Sequence, residues 1–245
     1  MTAPPPIHLR PAAELAQRVL LPGDPHRAMA VAQAVLEGPR MFNHTRGLWG
    51  YTGTARDGEP LSVQATGMGG PSAAIVVEEL IDLGATTLIR IGTCGALGAG
   101  AQLGELVVAR EVLCADGTSA ALGAPERLTP DPGLTGDLER AGARPAVAVS
   151  TDVFYELRAG IEGRWLAAGA QVVEMEAATL LAIATRRMAK AAVVLAVSDL
   201  LEGGKRVRLD AEGMEAAGVR LGEAAWLALS AGGGYLETSE TVSRS

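Results

Sequence analysis

What most constrains this chain is a recurring pattern in which short apolar runs end at glycine-containing loops and alanine-rich amphipathic segments follow. Arg18-Val-Leu-Leu21 runs into Pro22-Gly-Asp-Pro25, and Thr87-Leu-Ile-Arg-Ile91 runs into Gly92-Thr-Cys-Gly-Ala-Leu-Gly98. Apolar runs this short, bounded by turn residues, read as strands buried on both faces. Aromatic residues make up only 3% of the chain while glycine numbers 31, so the core has to be assembled from Ala, Val, Leu and Ile at close range. That combination favours a buried, largely parallel sheet covered by helices. No internal repeat or linker-like stretch divides the 245 residues, so one α/β domain is expected over 1–245. About six residues at the N-terminus and the tail from about Ser230 read as disordered.

Along the chain, a first helix is expected over His26–Leu36, with Ala28, Val31, Ala32 and Val35 on one face. Short strands at Gly50–Gly53 and Leu61–Ala65 are joined by the turn Arg56-Asp-Gly-Glu59. The loop Thr66–Ser72 opens a helix over Ala73–Leu83, stopped by Gly84. Further strands are expected at Glu105–Ala109, Ala146–Ser150, Ala170–Met175 and Ala191–Val197, with Gly117–Gly136 read as a loop. Helices are expected over Glu176–Met188 and Ala211–Leu229.

Several function classes are disfavoured. The 21 basic and 28 acidic residues give a net charge of −7, which argues against a nucleic-acid partner. The proline-rich start lacks the apolar stretch of a signal peptide, and Ala191–Val197 is far short of the ~20 residues that span a bilayer. Cys94 and Cys114 form no C-x-x-C pair, so a reducing, cytoplasmic setting without a membrane is expected. His8, His26 and His44 lack metal-ligand spacing, and no G-x-S-x-G occurs for a serine hydrolase. There is no G-x-x-x-x-G-K-[ST], and Gly67-Met-Gly-Gly-Pro-Ser72 lacks the third glycine of a dinucleotide fingerprint.

The polar residues that do stand out cluster at strand ends: Pro22 to Arg27, Gly67-Met-Gly69, Arg90 to Thr93, and Ser198-Asp199. Ligands of open α/β sheets gather at the carboxyl ends of strands, so these segments are candidates to meet in one pocket. Arg90 interrupts an apolar run and reads either as a buried ion pair or as an anion clamp. Arg27 alone reads better as a solvated helix residue. Glu174 and Glu176 lie two apart, so on a strand both carboxylates face one side, where they suit a sugar diol. The competing reading is acidic residues at a helix N-terminus, favoured by the dipole.

Taken together, Leu21-Pro-Gly-Asp-Pro-His-Arg27, Arg46-Gly-Leu-Trp-Gly-Tyr-Thr-Gly53, Gly67-Met-Gly-Gly-Pro-Ser72, Arg90-Ile-Gly-Thr-Cys-Gly-Ala96, Ser150-Thr-Asp-Val-Phe-Tyr155, Val173-Glu-Met-Glu-Ala-Ala178 and Val197-Ser-Asp199 resemble the nucleoside phosphorylase family, and within it the bacterial hexameric purine branch. The motifs fall in family order. The resemblance implies an α/β fold around a mixed, partly barrel-like sheet, and reversible phosphorolysis of purine nucleosides to base and pentose 1-phosphate. By the same resemblance Gly23, Arg27, Arg90 and Thr93 bind phosphate, joined by Arg46 of a neighbouring subunit. His8, also from the neighbour, meets the sugar 5′-hydroxyl, while Met68, Met175 and Glu176 hold the ribose. Phe154 packs on the base, Val173 and Glu174 line its pocket, and Ser198 and Asp199 face the purine edge, with Asp199 as the acid. The implied assembly is a homo-oligomer, a trimer of dimers. No metal or organic cofactor is implied, inorganic phosphate being a co-substrate.

The uridine branch of the family is the nearest alternative, but its Gln- and Arg-bearing insertion before the Glu-Met-Glu motif has no counterpart in Phe154–Val173. A hydrolytic nucleosidase has no use for Arg27, Arg46 and Arg90 together. A non-catalytic nucleoside-binding protein has no need of both Glu176 and Asp199. One departure from the purine branch stands out. The arginine it carries downstream of the acid has no clean match in LLEGGKRVRLDAEGM, where Arg206 and Arg208 are the candidates to take its place.

Overall fold

The apolar runs at Thr87 and Ala191 lie side by side as the strands β5 (Thr87–Ala96) and β10 (Lys190–Glu202), parallel from Thr87↔Lys190 onward. The computed structural model describes residues 6–202 and 205–231. From β10 the sheet passes antiparallel to β6 (Leu106–Ala115) and parallel to β8 (Arg144–Thr151) and β9 (Val172–Glu174). Strand β9 then returns antiparallel to β5, closing a ring. Outside the ring, β5 pairs with β1 (Arg18–Leu21), and the sheet continues through β4 (Pro60–Gln64) and β3 (Gly50–Ala55) to β2 (Leu36–Asn43). Two short strands, β7 (Arg127–Leu128) and β11 (Lys205–Arg208), flank β6 and β10. The sheet is mixed and partly barrel-like, as the family resemblance implies.

Helices α1 (Pro25–Val35), α4 (Pro132–Arg140) and α7 (Ala211–Ala231) cover one side of the sheet, and α2 (Gly70–Asp82) and α6 (Ala177–Arg187) cover the other. Two small helices, α3 (Gly117–Ala121) and α5 (Ile161–Ala167), sit in the connections. Period-two alternation assigns each strand residue to a side. Leu88, Val193, Leu195 and Val197 pack with α2 and α6, whereas Ile89, Ile91, Val194 and Ala196 pack with α1 and α7. Arg90 has the parity of Leu88, which aims it toward the N-terminal ends of α2 and α6.

Several sequence expectations are corrected. Gly92–Ala96 is strand rather than loop, hydrogen-bonded to β10 on one side and, at Gly95 and Ala96, to β9 on the other. A glycine inside a strand costs about 0.5–1 kcal/mol relative to alanine, whereas each fully buried Ile, Leu or Val gains roughly 1.5–3 kcal/mol. With Ile89, Ile91, Val194 and Leu195 all at 0% exposure, pairing wins and the strand runs on. The expected loop Gly117–Gly136 contains α3, β7 and the start of α4. Both helices begin at an aspartate cap, Asp116 accepting from the Ser119 N–H at 2.8 Å and Asp131 from the Leu134 N–H at 2.9 Å. The first helix starts one residue earlier, at Pro25, and ends at Val35, because Leu36 is already extended in β2 and paired with Ala55 of β3. Strand β11 and helix α5 have no counterpart in the sequence reading. Ser230 belongs to α7, and the rest of the expected disordered tail, 232–245, lies outside the described residues.

Candidate active site

The strand ends named from sequence open into one cavity of about 440 Å³, a volume usual for small-molecule sites. Gly23, Arg27, Met68, Arg90, Thr93, Phe154, Val173, Glu174, Met175, Glu176, Ser198 and Asp199 all line it. His8 and Arg46 do not.

One end of the cavity is cationic. The turn Pro22-Gly-Asp-Pro stops β1 and starts α1, with Asp24 capping the helix by accepting the Arg27 N–H at 2.8 Å and Pro25 fitting the first turn. That places the Arg27 side chain at the cavity wall, where a guanidinium is suited to an anion. Burial lowers the Arg27 guanidinium below its usual range and the neighbouring Arg90 cation lowers it further, with Asp24 and Glu176 opposing. Arginine does not give up its proton in water-accessible ranges, so two such neighbours leave a positive field at the cavity wall.

Arg90 is 5% exposed, and the first of the two readings the sequence left open holds for it. Its Nε donates to Glu174 at 2.9 Å and its Nη2 to Glu176, so it is a buried ion pair. Its Nη1 is also buried and has no hydrogen-bond partner among the described residues, which leaves one donor of the fork free to take an anion. Burial alone lowers the Arg90 pKa, but Glu176 and Glu174 outweigh it and the net shift is upward. Gly92 makes this packing possible, since a Cβ there would lie 2.8 Å from Arg90 Nη2.

Glu174 and Glu176 do not share a strand face as expected, because β9 ends at Glu174 and Glu176 already lies at the start of α6. Glu174, at the end of β9, accepts the N–H groups of Glu176 and Ala177 at 2.9 Å and the Ser150 hydroxyl, so it caps α6 as well as pairing with Arg90. Glu176 sits at the helix N-cap, outside the strand, and reaches across to the Gly69 N–H at 2.5 Å. Gly69 adopts φ +83°, a left-handed conformation that costs glycine nothing and presents its N–H to the carboxylate. Burial raises the Glu176 pKa, with Arg90 opposing and Glu174 adding.

At the other end, Asp199 is 6% exposed. Its Oδ2 accepts the Ser198 hydroxyl at 2.9 Å, and its Oδ1 pairs with Arg206 Nη1 at 2.9 Å. Strand β11 folds back on β10 to bring Arg206 there, and its guanidinium also lies 6.0 Å from the Phe154 ring centroid. Arg208 lines the same end of the cavity. Trp165, Glu156 and Glu162 line it too and were not singled out from sequence, although tryptophan occurs only three times in the chain. Cys94 also lines the cavity, and burial pushes its thiol pKa up. No group of three or more His, Cys, Asp or Glu side chains able to hold a metal occurs among the described residues, and none of their helices is long and apolar enough to cross a membrane.

His8 and Arg46 lie outside the cavity lining, in two segments joined through Asn43. Arg46 lies in a single 3-10 turn, Thr45–Gly47, with φ +59°, exposed. Buried Asn43 ties this turn to the N-terminal segment, its Oδ1 accepting from Arg10 N–H at 3.0 Å and Thr45 N–H at 3.3 Å.

The model of the phosphorylase superfamily matches residues 17–229. Similar proteins include the DeoD-type purine nucleoside phosphorylase of Jannaschia sp. (strain CCS1), 38% identical over 197 residues, which covers 77% of this chain and 84% of the relative. That of Geobacillus kaustophilus (strain HTA426) is 37% identical over 201 residues, 78% and 84% of the two chains. That of Thermoanaerobacter sp. (strain X514) is 38% identical over 205 residues, 78% and 86% of the two chains. A model spanning nearly the whole described chain, and relatives matched over most of their length, make this protein a member of the phosphorylase superfamily.

Proposed function

We propose that the protein catalyses the reversible phosphorolysis of purine nucleosides, yielding free base and pentose 1-phosphate in purine salvage. The observation that carries this reading is one cavity with Arg27 and the free Nη1 of Arg90 at one end, Glu176 between, and Asp199 at the other. Cleaving the glycosidic bond builds positive charge on the sugar and negative charge on the departing base. Phosphate held by Arg27, Arg90, Gly23 and Thr93 stabilises the sugar cation and attacks its anomeric carbon from a fixed position. Glu176 accepts the ribose hydroxyls, with Met68 and Met175 against the sugar. Phe154 and Val173 pack on the base, and Asp199 delivers a proton toward N7 so that the base leaves neutral.

Asp199 is 6% exposed and lies between the Ser198 hydroxyl and Arg206, which fixes where its carboxyl faces. Arg206 takes the place of the family's downstream arginine beside it. The names of the relatives favour the purine reading over the uridine one. The chemistry needs no metal or organic cofactor, and the cytoplasm is its natural setting.

Inosine incubated with and without inorganic phosphate tests the reaction. Hypoxanthine release is expected only with phosphate, in step with ribose 1-phosphate. Release without phosphate would establish a hydrolase instead, and binding without release would leave a nucleoside-binding protein.

The same reading places His8 and Arg46 in the site of a neighbouring copy, within a trimer of dimers. Inactive Arg46→Ala and inactive Asp199→Ala proteins, mixed under conditions that exchange subunits, are expected to regain part of the activity. Hybrid interfaces contain one pocket with both residues intact. No recovery after verified exchange would return Arg46 to its own subunit.

A further inference from the structure

The segment 7–10 belongs to no helix or strand, yet it is held closely. Four donors converge on the carboxylate of Glu79, on α2. They are the backbone N–H groups of Ile7 at 3.1 Å, His8 at 3.0 Å and Leu9 at 2.7 Å, and the His8 ring at Nδ1, 2.7 Å. A carboxylate has about four acceptor positions, so Glu79 is saturated by this one segment. The next side chain, Leu9, is fully buried in the core that contains Val76 and Leu80 of α2, and Arg10 is tied to Asn43. Burial alone would raise the Glu79 pKa, but the N–H groups of Leu9, His8 and Ile7 and the His8 ring bring it below the usual carboxylate range.

An ionised carboxylate can only accept. The His8 ring must therefore donate from Nδ1, and a neutral ring held this way has its lone pair on Nε2. Backbone and ring are held by the same two oxygens, so the direction of Nε2 is set as firmly as the path of the chain. Nothing in the chain's own cavity uses this arrangement, since His8 does not line it.

We propose that Glu79 is a positioning residue for phosphorolysis, holding residues 7–9 and the His8 tautomer so that Nε2 is presented to the sugar 5′-hydroxyl in a neighbouring copy. The proposal rests on the reading of His8 given above. The alternative is that Glu79 merely tethers the N-terminus.

The two roles separate on substrates that differ only in the 5′-hydroxyl. The quantity to measure is the ratio of kcat/KM for inosine to that for 5′-deoxyinosine, in the wild type, Glu79→Ala, Glu79→Gln, His8→Ala and the Glu79→Ala/His8→Ala double variant. Glu79→Ala is expected to lower the ratio about five- to tenfold, the effect of losing one hydrogen bond. The double variant is expected to fall no lower than His8→Ala, because both changes remove one interaction. Glu79→Gln, which keeps one acceptor oxygen, is expected to lie between Glu79→Ala and the wild type. If His8→Ala lowers the ratio and neither Glu79 variant does, the positioning role is overturned while the His8 reading stands. If His8→Ala leaves the ratio unchanged, the His8 reading fails and the proposal fails with it. Should Glu79→Ala not fold, Glu79→Gln decides by the same ratio.

Discussion

Replacing Arg90 with alanine is expected to cost the protein both its phosphate-dependent turnover and much of its stability. Arg90 is the shared partner of Glu174 and Glu176, all three buried. Removing one partner of a buried pair typically costs about 3–5 kcal/mol, because the charge left behind cannot be resolvated. That exceeds the ~1.5–3 kcal/mol attached to losing one charge-assisted hydrogen bond to a ligand, so the stability loss is the larger effect. The loss should also depend on pH in a defined direction. Burial, with Glu174 adding, raises the Glu176 pKa, and Arg90 opposes that rise. An acid whose folded pKa lies above its unfolded value makes its full contribution below the unfolded pKa and loses it as pH rises through the folded one. Removing Arg90 takes away the opposing influence and widens that window upward. The difference in unfolding free energy between variant and wild type should therefore be greatest at about pH 8 and shrink at about pH 5, read by denaturant titration. A difference that does not change with pH would remove Glu176 as its origin. Arg27→Ala isolates the phosphate role, because Arg27 forms no ion pair among the described residues. Its phosphate KM should rise roughly tenfold or more with little loss of stability. Wild-type phosphate kinetics in folded Arg27 and Arg90 variants would overturn the phosphate site.

The difference between these two arginines was only partly legible in the sequence. Arg90 announced itself by interrupting an apolar strand, but its partners in the Glu-Met-Glu segment needed the fold. The ion-pair reading holds for its Nε and Nη2, and the anion-clamp reading rests on the unpartnered Nη1. The convergence of strand ends was legible because parallel strands buried on both faces leave only their ends for polar side chains. Where the glycines at Gly92 and Gly95 sat was not. Local preference says loop, and only pairing from both sides, to β10 and β9, makes that segment a strand. The caps at Asp116 and Asp131 were present as residue types, but the glycines and prolines around them carried the stronger signal for loop. Glu79 was invisible for a different reason. Nothing on an amphipathic helix marks one glutamate as the acceptor for a segment some seventy residues earlier in the chain. The Arg206–Asp199 pair required the β10–β11 hairpin, whose register no local pattern announces.

That pair sets the terms of the sharpest test. Asp199→Ala is expected to cripple the phosphorolysis of inosine and adenosine while leaving 7-methylguanosine far less affected. A natural purine is a poor leaving group unless N7 is protonated, whereas a 7-methylated base already carries the positive charge that protonation would supply. General acid catalysis is typically worth ~10²–10⁴-fold, so the two substrates should diverge by at least the lower figure. The competing reading is that Asp199 is an anchor. Its Oδ1 holds Arg206 of β11 and its Oδ2 holds the Ser198 hydroxyl, so removing it could loosen the hairpin that walls the base end of the cavity. An anchor lost harms both substrates equally and lowers the melting temperature. Asp199→Asn separates the cases further, because an amide can keep the Ser198 contact through its oxygen but cannot transfer the proton. If the acid matters, Asp199→Asn should be nearly as poor as Asp199→Ala on inosine and close to wild type on 7-methylguanosine. Arg206→Ala then locates the arginine's part. It should reduce inosine turnover more than 7-methylguanosine turnover if it helps Asp199 hand over a proton, and both alike if it only braces the hairpin. Equal losses on both substrates across the Asp199 variants would leave the carboxylate as part of the wall and take the general acid out of the mechanism.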